Sequence, residues 1–142
     1  MCHPVDPAFE YSDATERQLE MPGSGRTIPT FAYRYASEKR LPAVVIGHDV
    51  FGASPFYRDI ARRLAEQGFA TIVPELFCRE GTLATHTMEA AVERAKRHNV
   101  LTALADLNSI TAKLAEDGRK VGILGFCMGE DMPYWLLRVC LL

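Results

Sequence analysis

The apolar residues of the chain predict three short buried strands. The segments "AVVIG" at 43–47, "ATIVP" at 70–74 and "KVGILG" at 120–125 are continuous apolar runs, which is typical of strands buried on both faces. A helical pattern lies between each strand and the next. Strands of this kind alternating with helices predict an α/β fold, in which a parallel sheet is covered by helices.

The two helical patterns have recognisable ends. The first, in "PFYRDIARRLAEQG", has Ser54 placed to cap it, Pro55 in its first turn and Gly68 as its stop. Its apolar face comprises Tyr57, Ile60, Ala61 and Leu64. The second is a longer helical region that ends at Gly118. Its apolar stripe comprises Leu104, Leu107, Thr111 and Leu114.

The N-terminal part of the chain has a different pattern. Residues 1–26 are polar and rich in proline and glycine, so we predict an extended lead-in with a short strand at 17–21. The following "TIPTFAYRY" is rich in aromatic and β-branched residues and predicts a strand, which Pro29 would place near a sheet edge. At 142 residues, the chain is long enough for one core and too short for two ordinary domains, so residues 1–142 are predicted to form a single domain.

Composition narrows the classes of function. Apolar residues make up 48% and charged residues 24% of the chain, as in soluble globular proteins. With a formal net charge of −2 and no basic run, we expect neither nucleic acid nor a membrane as a partner. The N-terminus lacks the features of a signal peptide, and the four cysteines show no metal-ligand spacing. We therefore expect a cytoplasmic protein without metal or cofactor.

Candidate chemistry lies in the loops that follow the three apolar strands, "HDVFGAS", "PELFCREGT" and "GFCMGE". In parallel sheets, reactive groups gather outside the carboxyl ends of the strands. The turn Gly125-Phe126-Cys127-Met128-Gly129 follows a strand and precedes a plausible helix, which is the context of a nucleophile elbow. The helix N-terminus would favour the thiolate of Cys127. The alternative is an inert buried cysteine in a glycine-containing turn.

From about Pro42 to Gly129, the chain resembles the dienelactone hydrolase family of α/β-hydrolases. The resemblance rests on "PAVVIGHDVFGASPFYRDIARRLAEQGFATIVPELFCREG", on "ALADLNSI" with its helix, and on "RKVGILGFCMG". It implies a partial α/β-hydrolase fold, mostly parallel with helices on both faces, that lacks its C-terminal strands. It also implies hydrolysis of a small carboxylic ester or lactone.

The resemblance implies roles for individual residues. Cys127 is similar to the nucleophile, and the backbone N–H groups of Val50 and Met128 to the oxyanion hole. Asp49 occupies the place of a glutamate that contacts the resting cysteine. Arg79 matches an arginine that binds the substrate carboxylate. Two alternatives stay open, because Asp49 is shorter than glutamate and would suit a loop cap, and Arg79 would suit a solvated loop.

The partners that Cys127 needs are missing from the expected positions. In this fold the acid and the histidine follow the nucleophile in the chain. All four histidines precede Cys127, and the only later aspartate is Asp131. We therefore predict a truncated domain with an atypical tail at 130–142, produced by a frameshift, a misjoined exon or truncation. A pairing of His48 with Cys127 is an alternative; otherwise His48 would shape the oxyanion loop.

Three functions follow from these observations. The first is a hydrolase of dienelactone hydrolase type, impaired because the triad's aspartate and histidine are absent. The second is a non-catalytic hydrolase fold that acts by binding, with self-association through an open sheet edge. The third is a thiol-based redox role for Cys127.

Overall fold

The structure is a computed structural model that describes residues 14–36 and 40–126. Five strands and three helices form an α/β fold in this part of the chain, as predicted. Their order is β1 (Glu16–Pro22), β2 (Thr27–Tyr33), β3 (Ala43–Gly47), α1 (Pro55–Glu66), β4 (Ala70–Pro74), α2 (Met88–Lys96), α3 (Val100–Glu116) and β5 (Val121–Gly125).

The sheet is mixed rather than mostly parallel. Its strand order is β1-β2-β4-β3-β5. The three apolar strands are parallel, with β3 hydrogen-bonded to β4 on one side and to β5 on the other. The antiparallel pairs are β1 with β2 and β2 with β4, so the N-terminal hairpin makes the sheet mixed.

Helices cover both faces of the sheet, which explains why the central strands are apolar throughout. Val45 and Ile72 face α3 and pack with its side chains, including Ile110. The next residues along the two strands, Ile46 and Val73, face α1. Because successive side chains of a strand point to opposite faces, a strand covered on both sides buries all its residues.

The position of β2 corrects one prediction. Pro29 does not mark a sheet edge, since β2 lies between β1 and β4 and β1 is the outer strand. The pairing of β2 with β4 covers Thr30 to Tyr33 and so begins one residue after Pro29. Pro29 is therefore not part of the pairing between β2 and β4. The predicted lead-in supplies the edge strand β1, which extends slightly beyond the predicted short strand.

The ends of α1 agree with the sequence signals in position. Ser54 is the N-cap residue, Pro55 is the first helical residue, and Gly68 has the left-handed φ of 97° expected after a helix. The Ser54 hydroxyl, however, makes no capping hydrogen bond. It is buried and has no hydrogen-bond partner in the described part of the chain.

The second helical region consists of two helices. Thr87 caps α2 by accepting from the Ala90 N–H, and Asn99 caps α3 by accepting from the Thr102 N–H. Gly118, with a φ of 76°, follows the end of α3 as predicted. Each side-chain cap satisfies a backbone donor that a helix leaves unpaired, so α3 begins as a separate helix directly after its cap, Asn99.

Candidate active site

The candidate site lies at the carboxyl end of β3. The β3–α1 loop, residues 48–54, is flanked there by the β4–α2 loop, residues 75–87. The Phe126 N–H donates to the Gly47 carbonyl oxygen at 3.0 Å, which joins the end of β5 to the start of the β3–α1 loop. Cys127 and Met128, and the tail at 130–142, lie outside the described residues. Their roles stay predictions.

His48 is a buried residue of this loop, 1% exposed, and both its ring nitrogens are engaged. Nε2 accepts from the Leu76 N–H at 3.0 Å, and Nδ1 lies 2.9 Å from the Asp49 carbonyl oxygen. An acceptor at Nε2 and a donor at Nδ1 define one neutral tautomer. Burial lowers the pKa of His48 below its usual value, although the nearby Glu75 carboxylate acts in the opposite direction.

These contacts bear on the two interpretations of His48. A base for Cys127 needs a ring nitrogen that can accept the thiol proton. The one acceptor nitrogen of His48 is occupied by the Leu76 N–H. The contacts support the alternative, that His48 shapes the loop, whereas its pairing with Cys127 stays a prediction because Cys127 lies outside the described residues.

Asp49 holds the same loop from within. Its Oδ1 accepts from the Phe51 N–H at 2.9 Å, and its carbonyl oxygen accepts from the Gly52 N–H at 3.1 Å. A side chain that accepts from the backbone two residues later forms an Asx turn. The loop-capping interpretation of Asp49 is thus confirmed, whereas its contact with Cys127 stays a prediction.

Val50 shows where the loop has unused hydrogen-bonding capacity. The residue is 6% exposed, and its N–H group has no hydrogen-bond partner within residues 14–36 and 40–126. Buried backbone N–H groups are nearly always paired, so an unpaired one calls for an explanation. A donor held ready for a ligand oxygen is such an explanation.

Arg94 of α2 contributes to this site and was not predicted. The side chain is 5% exposed and donates to the Val50 carbonyl oxygen at 3.0 Å and to the Gly81 carbonyl oxygen at 3.1 Å. Its guanidinium also lies 4.3 Å from the centre of the Phe77 ring. One signal could have identified it, because Arg94 falls three residues after Ala91 on the buried face of α2.

Glu75 holds the other end of the loop. Its carboxylate accepts from the Ala53 N–H at 3.0 Å and from the Phe77 N–H at 3.1 Å. Gly52 passes between Glu75 and Arg94 with a φ of 83°. A Cβ atom there would lie 3.0 Å from the Glu75 carboxylate and 3.2 Å from an Arg94 nitrogen, so the loop needs glycine for both space and conformation.

A half-open cleft of about 440 Å³ lies between the β3–α1 loop, the β4–α2 loop and α2. Its lining combines apolar side chains with a few polar groups, which is the usual character of small-molecule sites. The lining comprises Pro29, Phe51, Ala53, Ser54, Pro55, Glu75, Phe77, Cys78, Gly81, Thr82, Leu83, His86 and Arg94.

Arg79 makes internal contacts. Its guanidinium donates to both carboxylate oxygens of Asp106, at 2.5 and 3.0 Å, and to the Ser24 carbonyl oxygen at 2.8 Å. Asp106 is fully buried and also accepts from the Ser24 N–H. The hydrogen bond with Asp106 raises the pKa of Arg79. Arg79 thus joins the β4–α2 loop to α3 and to the β1–β2 turn, and its role in substrate binding stays a prediction.

Neither a metal centre nor a membrane span is found among the described residues. No group of three or more histidine, cysteine, aspartate or glutamate side chains could hold a metal ion there. None of the three helices in residues 14–36 and 40–126 combines the length and apolarity needed to cross a membrane.

Comparison with known proteins identifies the family of the chain. The model of the dienelactone hydrolase family matches residues 28–138. The chain belongs to the dienelactone hydrolase family. The matched range extends beyond the 42–129 on which the resemblance rested. It also includes most of the tail at 130–142 that was expected to be atypical. The hypothesis of a frameshift stays a prediction.

Two curated members of the family illustrate the similarity. Carboxymethylenebutenolidase 2 of Cupriavidus pinatubonensis is 34% identical over 142 residues, covering 97% of this chain and 54% of the relative. The carboxymethylenebutenolidase of Rhodococcus opacus is 35% identical over 86 residues, covering 61% of this chain and 34% of the relative. The chain therefore spans between about a third and about half of the length of these relatives.

Two solved structures have a similar fold. A Klebsiella pneumoniae protein provisionally named a dienelactone hydrolase is 27% identical, with a TM-score of 0.72 over 82% of this chain and 51% of that chain. A cold-adapted esterase from an Arctic intertidal metagenomic library is 20% identical, with a TM-score of 0.59 over 87% of this chain and 55% of that chain. The latter similarity concerns the fold alone. The partial α/β-hydrolase fold predicted for this chain is thus confirmed.

Proposed function

We propose that the chain provides the nucleophile and the oxyanion hole of a dienelactone hydrolase-type enzyme that acts on a small carboxylic ester or lactone. Cys127 is the nucleophile of the proposal, and the N–H groups of Val50 and Met128 bind the oxyanion. The observation that supports it best is the N–H of the buried residue Val50, which has no hydrogen-bond partner among the described residues, in a loop whose neighbouring peptide groups are held. An oxyanion hole requires such a preorganised donor.

The proposed reaction has two steps. The Cys127 thiolate attacks the acyl carbon, the carbonyl oxygen becomes an oxyanion between the two N–H groups, and the bond to the leaving alcohol breaks to give a thioester. Water then attacks the thioester and releases the acid, which restores the thiol. The second step needs a general base to activate the water.

No described histidine is placed to act as this base, and we propose that turnover is impaired for this reason. His48 has no acceptor nitrogen left for a substrate or a water. His98 contacts the Glu80 carboxylate through Nδ1 at 3.0 Å, and its ring lies against Phe77. His86 lines the cleft, and no hydrogen bond or ion pair joins it to a carboxylate among the described residues. A family-like aspartate and histidine would have to follow Cys127.

Acylation can be separated from turnover with p-nitrophenyl acetate. We expect a stoichiometric burst of p-nitrophenolate, one acetyl group on the peptide that contains Cys127, and little steady-state hydrolysis. Cys127→Ala should lose the burst. Cys78→Ala, which removes a thiol that lines the cleft, is the control and should keep it. Absence of acetylation at Cys127 in the intact chain would refute the proposal.

The second candidate function is a non-catalytic hydrolase fold that binds a small molecule or a second copy of the chain. The cleft and the exposed position of β5 at the edge of the described sheet favour it. A chain that binds but is never acylated at Cys127 would fit this function. A redox role would instead require Cys127 to oxidise well ahead of Cys2, Cys78 and Cys140.

The hypothesis of a frameshift has its own test at the nucleotide level. The sequence downstream of the Gly129 codon is to be translated in all three frames. Codons for an aspartate and a histidine in family-like context would support a lost C-terminal half. Their absence from every frame would contradict the hypothesis.

A further inference from the structure

We propose that His48 is a positioning residue of the oxyanion hole: its Nδ1–H orients the Asp49–Val50 peptide so that the Val50 N–H faces the reacting oxygen. The inference rests on the proposed function, in which the Val50 N–H is an oxyanion donor. It assigns the orientation of that donor to a side chain on the opposite side of the same peptide.

The geometry of the peptide bond gives the reason. A trans peptide is planar, so its C=O and its N–H point in opposite directions. The Asp49 carbonyl oxygen accepts from His48 Nδ1 at 2.9 Å and from the Gly52 N–H at 3.1 Å. Holding this oxygen in place also sets the direction of the Val50 N–H, which is unpaired among the described residues.

The imidazole ring is itself held in one orientation. Nε2 accepts from the Leu76 N–H at 3.0 Å, and the ring stacks on Phe77 with 5.5 Å between the ring centres. A flipped ring would place carbon atoms where the two hydrogen bonds require nitrogens. The backbone of the β4–α2 loop therefore fixes the ring, and the ring fixes the peptide that follows it.

A histidine that merely fills space would make the same packing contacts without needing a donor at Nδ1. Two amide variants separate these roles. In His48→Asn, the side-chain amide can place a donor where Nδ1 stands, but it loses the acceptor for Leu76. In His48→Gln, the longer amide can place an acceptor near Nε2, but it loses the donor to Asp49.

The first experiment compares two reactions of Cys127 in the full chain. Acetylation by p-nitrophenyl acetate develops an oxyanion, whereas alkylation by iodoacetamide displaces iodide without one. We expect His48→Gln to slow acetylation by about tenfold or more and to leave alkylation unchanged. His48→Asn should acetylate within about threefold of the wild type, although it should be the less stable of the two because the buried Leu76 N–H is left unpaired.

An inverted ranking of the two variants, equal loss of acetylation in both, or a parallel loss of alkylation would overturn the proposal. A second measurement does not depend on acylation. In ¹⁵N-labelled wild type, the His48 ring should be protonated at Nδ1 and not at Nε2, and the Val50 amide resonance should be kept in His48→Asn and displaced in His48→Gln. Protonation at Nε2, or an unmoved Val50 resonance in His48→Gln, would refute the role of His48.

The two measurements distinguish failure of this inference from failure of the proposed function. A wild-type chain that shows the expected ring protonation and Val50 shifts but is not acetylated has a positioned donor and no hydrolase chemistry. In that outcome the proposed function fails, while the positioning role of His48 stands.

Discussion

At the scale of single residues, the candidate site depends on polar side chains that bond mainly to the backbone. His48, Asp49, Glu75 and Arg94 each hydrogen-bond peptide groups of the loops around the site. Peptide groups of a loop have no regular ladder to satisfy them, so side chains must do so when the loop is buried. Removing any of these side chains should therefore affect loop geometry as well as stability.

The buried imidazole of His48 predicts a pH dependence of stability. Burial lowers its pKa, with Arg94 acting in the same direction and with Glu75 and Asp49 opposing. The unfolded chain therefore takes up a proton near its ordinary pKa while the folded chain resists it. The contribution of the neutral His48 imidazole to the unfolding free energy is fully present above about pH 6.5. It decreases as the pH falls, by at most about 1.4 kcal/mol per pH unit.

Urea unfolding between about pH 8 and about pH 5 measures this effect. The loss of unfolding free energy on acidification should be larger in the wild type than in His48→Asn. The other histidines and the carboxylates are common to both proteins and cancel in the difference. An identical pH dependence in the two proteins would show that His48 is not the group responsible.

A variant of Arg79 can test whether this residue stabilises the fold through Asp106 or binds the substrate carboxylate. In Arg79→Met the fully buried Asp106 loses its charged partner, so we expect a loss of about 3–5 kcal/mol in unfolding free energy. The double variant Arg79→Met/Asp106→Leu should recover part of that loss, because no uncompensated buried charge remains. If Arg79→Met left stability unchanged but slowed acylation by esters that carry a carboxylate, and did not slow acylation by neutral esters, the result would instead support substrate binding.

At the scale of elements, much of the fold could be predicted because its signals are local. The apolar runs of β3, β4 and β5, and the glycines after α1 and α3, each depend on a few adjacent residues. The position of Pro29 could not be predicted, because an edge is defined by which strands pair. Arg94 and Glu75 were missed for the same reason, since their loop partners lie 44 and 22 residues away in the chain.

The contact between α2 and the β3–α1 loop leads to a prediction at this scale. Arg94→Met removes the donors to the Val50 and Gly81 carbonyl oxygens, and the loss should be about 1–3 kcal/mol in unfolding free energy. Amide hydrogen exchange should accelerate in the β3–α1 and β4–α2 loops. Arg97→Met, which removes the same charge from an exposed position at the end of α2, is the matched control. Equal effects of the two variants would contradict the prediction.

At the scale of the whole molecule, the exposed edge of the described sheet is the feature with the largest consequence. β5 pairs only with β3 among the described strands, and most of its residues are partly exposed. Unpaired strand edges promote association through their free N–H and C=O groups. We therefore expect the 142-residue chain to self-associate at micromolar concentrations, as the sequence predicted.

A charge on this edge should oppose association. Gly122 of β5 has open space beside its Cα, where an added Cβ atom would meet no other atom within 4 Å, so Gly122→Lys can be accommodated. Sedimentation velocity should show a larger monomer fraction for Gly122→Lys than for the wild type. Ala112→Lys adds the same charge at an exposed position of α3 and should leave association unchanged. A monomeric wild-type chain with a sharp thermal transition would contradict the expectation.

The order of contacts along the chain has a consequence for how the site is made. The described hydrogen-bond partners of loop residues 48–54, from His48 and Leu76 to Arg94, all precede α3 in the chain. During synthesis, these segments leave the ribosome before Cys127 does. The part of the proposed site that contains the Val50 N–H can thus form before Cys127 has left the exit tunnel.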